Sequence, residues 1–497
     1  MAEIMPDQAT RPPLSLIEAI ISVASLIVLV GLSYYLFKDG GMNGPNQVGM
    51  VVATMITVFL GWRRGHTLQE LSDAAVASVS SGIGAIFILF AVGALIGTWA
   101  MSGTLVTMVY YGLEILNPGY FYVSAVAITA VISVGIGSSW TTAGTVGIGL
   151  MGISAAMGLD PAITAGAIIS GAYFGDTVSP LSDSANLAAG ASDVDLYAHI
   201  RRTGLIASVA LAIALAAFLF VGGAKDVDAS HKMATLDGDF HVSLVLFLPL
   251  LFVMALALLK VRPFTTIFLG ALAGGLMAAI VAPDRVAAFA EADKHVPGWL
   301  AQIKGVWEAL ARGYISTTGH PMVDQLTTRG GMSSMLMTIW LVIAAFAFGG
   351  VADRIGVLDR LITPITRMAT STVGLVVALV LSVLATAVAT ADQYLAVVLP
   401  GRMFRRAFEE RGQPPVLLSS SLGASATPTS ALIPWNSCGA YLAATLGVAT
   451  LSYAPYAIFN LANPLLAIAA AAIGAGALRG GGSKHSEGAD TATRQPH

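Results

Sequence analysis

These 497 residues specify an all-α polytopic membrane protein with two inverted-topology repeats of five crossings each, containing re-entrant hairpins and discontinuous helices. Three observations carry that reading. Charged residues make up 11% of the chain and hydrophobic residues 56%, whereas soluble domains carry about 25% charged residues. Apolar runs of the length needed to cross the hydrocarbon, about 20 residues, recur along the sequence. The chain also matches itself faintly at a separation of 253 residues.

Mean hydropathy is +0.78 and the formal net charge is −3, so neither a water-soluble enzyme nor a nucleic-acid-binding protein fits. Cys438 is the sole cysteine, which leaves no intrachain disulfide and no cysteine-based metal site. No Walker motif occurs, so no nucleotide is expected to drive the protein. HExxH, GxSxG and a Ser/His pairing in the spans are also absent, which argues against an intramembrane enzyme.

Uninterrupted spans are expected at 15–37, 46–62, 83–101, 200–222, 242–259, 263–282, 333–352 and 453–478. The first does not read as a cleavable leader, because residues 1–13 hold one basic residue and no small-residue cleavage pattern follows. Regions 119–158 and 371–408 read as re-entrant hairpins, and 162–198 and 414–448 as broken helices. Between the third span and the first hairpin, 104–117 with Glu114 reads as a short interfacial stretch. The segment 283–313, with Trp299, Lys304, Trp307, Glu308 and Arg312, reads as an extramembrane amphipathic insertion. The tail 480–497 is polar, Gly-rich and expected to be disordered.

Orientation follows from Lys and Arg. With the N-terminus cytoplasmic and each hairpin returning to its own side, 17 of the 25 basic residues fall inside the cell. Seven of the other eight sit in two long loops, 223–241 and 283–332, where the rule is weak. Ten crossings then put both ends in the cytoplasm and the chain in the cell (inner) membrane.

The self-match pairs Gly97 with Gly350, Gly103 with Gly356, Leu105 with Leu358 and Pro161 with Pro414, and Ser80–Ser81 with Ser333–Ser334. Each half, 1–222 and 242–479, then holds five crossings in the same order. An odd number makes the second half enter from the opposite face. Inverted repeats of this kind are a transporter architecture, with the substrate site at mid-membrane where broken helices face each other.

The first broken helix contains Gly175-Asp176-Thr177-Val178-Ser179-Pro180-Leu181-Ser182-Asp183-Ser184-Ala185-Asn186. Pro180 removes a backbone donor, so the helix should break before it, and irregular backbone at this depth must line a cavity or be buried in protein. The freed carbonyls and the hydroxyls of Thr177, Ser179 and Ser182 are hard oxygen ligands suited to Na⁺. Asp176 and Asp183 add negative charge, and an ionisable residue within the membrane usually marks an ion pathway. The competing structural reading is that Ser182 or Asp183 caps the second half-helix.

The second broken helix, Ser425 to Gly439, has the same layout without a carboxylate, and Thr429 and Asn436 are its leading ligands. Its competing reading is again helix capping, here around Pro428 and Pro434. The hairpin tips are polar: Ser138-Ser139-Trp140-Thr141 in the first, and Thr390-Ala391-Asp392-Gln393 in the second. Ser139 and Thr141 offer hydroxyl oxygens unless they only bond one turn back along their own helix. Asp392 brings a third carboxylate. Cys438 reads as a packing residue. A loose His231/Asp237/Asp239/His241 grouping lacks metal-site spacing.

At Gly171–Asp176, Ser179–Asn186 and Thr427–Tyr441 the sequence resembles the NhaC-type sodium/proton antiporter family, within the broader ion transporter superfamily. Weaker support lies at 329–335 and 348–351. The family also contains malate/lactate antiporters coupled to Na⁺ and H⁺. The resemblance implies a homodimer in which 119–198 and 371–448 form a moving transport domain against a scaffold. It gives no place to the 283–313 insertion.

Together these readings predict exchange of Na⁺ (or Li⁺) for H⁺ with no cofactor. Asp176, Asp183 and Asp392 share proton and cation, while Ser139, Thr141, Ser179, Asn186, Thr429 and Asn436 supply neutral oxygens. Na⁺ is expected at Asp176, Ser179 and Asp183. The absence of Lys and Arg from this core favours a bare cation over a dicarboxylate. A Na⁺-coupled antiporter of small organic acids or amino acids is the alternative.

Overall fold

The computed structural model describes residues 12–222, 229–240, 242–291, 296–369 and 371–481. Helices dominate them, and one isolated antiparallel bridge, Tyr314 with Arg329, is the sole strand-type pairing among the described residues. Among the described residues eight helices are long and apolar enough to cross a membrane, and up to ten spans result if two bent pairs each count as one. The protein is therefore a multi-pass membrane protein.

The first half opens with α1 (Leu16–Phe37), α2 (Pro45–Arg63), α3 (Leu68–Ser81), α4 (Ile83–Ser102) and α5 (Thr104–Ile115). Its hairpin is α6 (Phe121–Ile136), α7 (Ser139–Thr142), a π-helical turn at Ala143–Gly147 and α8 (Ile148–Met157). The broken helix is α9 (Pro161–Val178) and α10 (Asp183–Ala191), followed by α11 (Leu196–Val221). Asp160 and Asp195 cap α9 and α11, each carboxylate accepting two backbone N–H groups of the first turn.

A linking helix, α12 (Ala229–Phe240), leads to α13 (Leu248–Leu258), α14 (Pro263–Val281), α15 (Pro283–Phe289), α16 (Gly298–Arg312) and α17 (Pro321–Thr327). Then come α18 (Leu336–Arg354), α19 (Val357–Met368), the hairpin α20 (Thr372–Thr390) and α21 (Gln393–Glu410), and the broken helix α22 (Pro415–Ser430) and α23 (Ser437–Leu446). A short α24 (Thr450–Tyr453) precedes α25 (Ile458–Gly481). Two expected spans are modified: the span predicted at 242–259 pairs with the end of α12 across an 85° bend, and the one predicted at 453–478 starts with a 58° bend before Ile458.

Packing is reciprocal between the halves. Helix α4 lies on α14 and α18 on α2; α3 lies on α18 and α16 on α4. Helix α6 packs with α9 and α11, and α20 with α22 and α25; α11 crosses α22, and α25 crosses α9. The glycines paired in the sequence explain two of these contacts. A Cβ on Gly97 would collide with the Ala309 carbonyl of α16, and one on Gly350 with the Ala74 carbonyl of α3. Small residues let helix backbones touch where lipid gives no hydrophobic drive for association. Gly103 and Gly356 turn the chain with φ of 85° and 79° into α5 and α19. Helix α16 is thus the packing counterpart of α3, and the segment expected as a stray insertion gains a place in the fold. Its tryptophans, Trp299 and Trp307, remain exposed.

The two long loops meet over one end of α4. Arg285 donates to Met101 O at 3.2 Å and Asp239 O at 2.9 Å and stacks over Phe240. Its burial draws the guanidinium pKa below its usual value. Asp239 pairs with His320 at 2.8 Å, and Asp237 accepts from Val242 N. His241 and the tail beyond Gly481 lie outside the described residues.

Candidate functional site

Helix α6 ends where Gly137 takes a φ of 76°, and Ser138 restarts the chain as N-cap of α7, accepting from Thr141 N at 3.2 Å. Helix α9 stops at Val178, and the chain is extended at Ser179 just before Pro180, as loss of the proline N–H requires. The break is stitched to the hairpin: Ser179 Oγ donates to Val134 O at 2.8 Å. Ser182 then caps α10 and accepts from Ala185 N. The same Ser182 hydroxyl donates to Asp176 Oδ1 at 2.7 Å, and Ser139 Oγ donates to Asp176 Oδ2 at 2.6 Å. Asp176 is only 6% exposed. One carboxylate thus joins the hairpin tip, the end of α9 and the start of α10.

In the second unit Ala391 takes the left-handed turn at φ 58°, and Asp392 caps α21, its Oδ1 accepting from Leu395 N at 2.8 Å. Helix α22 continues through Pro428 to Ser430, so the second break comes later than the proline alone suggests. Asn436 caps α23 through Oδ1 and donates from Nδ2 to Ala387 O. Thr429 Oγ1 bonds back to Ser425 O at 2.7 Å. Gln393 lies at the centre of this unit. Its Oε1 accepts from Ser430 Oγ at 3.1 Å and Cys438 Sγ at 2.8 Å, and its Nε2 donates to Ser184 Oγ of α10 at 2.5 Å.

Both tips open on one cavity of about 470 Å³. Asp176, Asp183, Asp392 and Thr141 line it together. Asp183 is exposed, Asp392 half-buried and Asp176 buried, so accessibility falls inward along the acidic wall. Ser139 touches Asp176 without lining the cavity. Ser179, Asn186, Thr429 and Asn436 are not brought to it; each directs a side-chain polar group to backbone, Asn186 Nδ2 donating to Ser182 O at 2.8 Å. Of the trio expected to hold Na⁺, Asp176 and Asp183 share the cavity and Ser179 does not. Among the described residues no three His, Cys, Asp or Glu side chains converge at metal-binding range.

The opposite wall comes from the start of α4 at Gly82–Ala85, from Phe346, and from the turn between α13 and α14. That turn brings Lys260 and Arg262 to the cavity. This qualifies the expectation drawn from the absence of basic residues, because these two arrive from the α13–α14 turn rather than from a hairpin tip or a break. These lining residues lie at the ends of α4 and α14 opposite those that the long loops cover. Ser184 and Gln393 were legible only as polar residues beside aspartates; no spacing rule singles them out.

Chemically, Asp176 is a buried carboxylate beside two hydroxyl donors, and among the described residues no basic side chain pairs with it directly. An unpaired charge in low dielectric is costly, so a proton or a metal cation must accompany it. The hydroxyl rotors can turn their lone pairs toward a cation as readily as they donate to the carboxylate. Proton and cation are then alternatives at one place.

A model described as the Na⁺/H⁺ antiporter family matches residues 171–475, which hold both breaks and the second hairpin. The chain is similar to the Na⁺/H⁺ antiporter NhaC of Alkalihalophilus pseudofirmus, 36% identical over 86% of this chain and 90% of that protein. It is 32% identical to the arginine/ornithine antiporter ArcD of Halobacterium salinarum over 93% of this chain and 92% of that one. The malate-2H⁺/Na⁺-lactate antiporter of Bacillus subtilis is 31% identical over 89% of this chain and 91% of its own length.

Proposed function

The chain belongs to the Na⁺/H⁺ antiporter family, and from that premise we propose that it is a secondary antiporter exchanging Na⁺ for H⁺ across the cell membrane. The observation that carries the reading is Asp176, buried at the first break, bonded by Ser139 and Ser182 and facing the cavity. Asp176 releases its proton as Na⁺ takes its place, with Asp183 and Asp392 concentrating cations on the way in. Ser139 and Thr141 supply neutral oxygens, and Ser179, Asn186, Thr429 and Asn436 hold the breaks in shape. No cofactor takes part beyond the transported cations.

The reciprocal packing of the two halves supports an inverted-topology repeat, 1–222 against 242–479, with 119–198 and 371–448 as the transport unit. Both termini are cytoplasmic, and the assembly is a homodimer, as the resemblance implies. The basic residues flanking the cavity mouth favour a cytoplasmic opening. In everted vesicles carrying an acid interior, added Na⁺ should dissipate the pH gradient, read as dye dequenching. Failure to do so at every pH tested overturns the reading.

A second reading, a co-exchanged organic ion, is favoured by one feature. A cavity of about 470 Å³ bordered by Lys260 and Arg262 is of the size that takes small organic ligands. Counterflow of labelled malate, lactate or arginine in proteoliposomes separates the two. Organic exchange without Na⁺/H⁺ exchange in its absence would favour the second.

A further inference from the structure

We propose that Gln393 is a positioning residue that couples the acidic site of the first half to the break of the second, so that cation affinity depends on both halves. The inference rests on the reading of Asp176 and Asp183 as the site. Gln393 is 5% exposed and borders the cavity beside Asp392. A carboxamide is required there because it donates and accepts at once. It gives a hydrogen to Ser184, the residue after Asp183, and receives one from Ser430 and one from Cys438. Ser437 N adds a bond at 2.9 Å to Ala391 O, which holds the start of α23 on the same tip.

A second observation makes the arrangement more than local packing. The residue 253 positions earlier, Trp140, makes the reciprocal link. Its ring stacks on Tyr441 of α23 with centroids 4.2 Å apart and 7° between planes, and its carbonyl accepts from Tyr441 Oη at 2.8 Å. Each hairpin tip therefore grips the helix that follows the other half's break, one through an aromatic stack and the other through an amide. The amide link is the one placed to respond to a cation. Ser184 and Asp183 sit on the same first turn of α10, so anything that pulls Asp183 inward strains or relieves the bond to Gln393.

The test uses the full chain in everted vesicles, with Asp176→Asn as reference. Gln393→Leu keeps the volume and removes all three hydrogen bonds. It should raise the KM for Na⁺ by about tenfold while the maximal rate changes less than about threefold, the split expected when positioning rather than the reacting group is lost. Gln393→Glu keeps the acceptor and adds a carboxyl beside Asp392 and Asp183. Its activity profile should move to higher pH by about one unit, because like-charged neighbours hold protons more tightly. Ser184→Ala reads the same bond from the other end, should reproduce the KM rise, and should combine with Gln393→Leu non-additively.

Unchanged KM and pH profile in correctly inserted Gln393→Leu and Ser184→Ala overturn the inference. Where Gln393→Leu inserts poorly, Ser184→Ala decides. If Asp176→Asn still exchanges, the parent reading fails instead; if that variant is inactive and the Gln393 variants are normal, only the present inference fails.

Discussion

At the first break a buried carboxylate takes hydroxyl donors from its own hairpin tip and from the cap of the next half-helix. The residue 253 positions on, Thr429, turns its hydroxyl back onto Ser425 O inside its own helix. The second unit keeps the hairpin, the left-handed tip and the capped second half-helix, and gathers its polar contacts on an uncharged side chain of the tip, Gln393, rather than on a carboxylate at the break. The chain geometry is shared and the electrostatics are not. A carboxylate at the second break as well would add to the three that already line the cavity, and mutual repulsion disfavours ionisation. Keeping one break neutral leaves Asp176 as the single buried charge at the breaks for a cation to balance.

That contrast can be broken most directly at its two equivalent positions. Asp176→Asn should lower Na⁺-dependent proton movement by about a hundredfold or more, since the group proposed to exchange proton for cation is gone. Thr429→Val should stay within about threefold, because it loses only a bond back along its helix. Equal losses in the vesicle assay would erase the distinction.

Next in size is an effect that should be the same in both halves. Gly97→Leu and Gly350→Leu each drive a side chain into a neighbouring helix's backbone carbonyl, an overpacking cost of about 3 kcal/mol. Both should reduce the folded fraction recovered by size exclusion in detergent. Gly84→Ala, which meets nothing within 4 Å, should not. Unequal losses at Gly97 and Gly350 would show that the reciprocal packing is not energetically reciprocal.

A smaller effect is expected at the tip. Asp392→Asn retains a good N-cap for α21 and removes a charge from the cavity wall, so the KM for Na⁺ should rise about fivefold. Smallest of all is the mouth. Replacing Lys260 and Arg262 together by Gln should lower the KM for Na⁺ about twofold at low ionic strength and leave it unchanged at high salt, where exposed charges are screened.

The sequence made the break before Pro180 legible because a missing N–H acts locally. It also marked the glycine pairs Gly97 with Gly350 and Gly103 with Gly356, which occupy tight helix contacts and positive-φ turns in both halves. The acidic set of Asp176, Asp183 and Asp392 could be found because charges stand out in an apolar chain. Ser179, Thr429 and Asn436 could not be sorted into ligands or scaffold in advance, as one hydroxyl or amide serves either, and only coordinates show which carbonyl it meets. Lys260 and Arg262 counted in the sequence only among the basic residues that set orientation, and their approach to the cavity depends on how α14 crosses α4. The match of α16 to α3 was hidden by the extra chain after Gly313, which carries the Tyr314–Arg329 bridge.

The cavity described above has a consequence for selectivity. At about 470 Å³ it is large enough to hold several waters beside an ion. On the proposed function the ion's hydration shell comes off at the last step, where Asp176, with Ser139 and Thr141, replaces it. Discrimination between ions of one charge is then a competition between water and three side chains, settled at the bottom of the funnel.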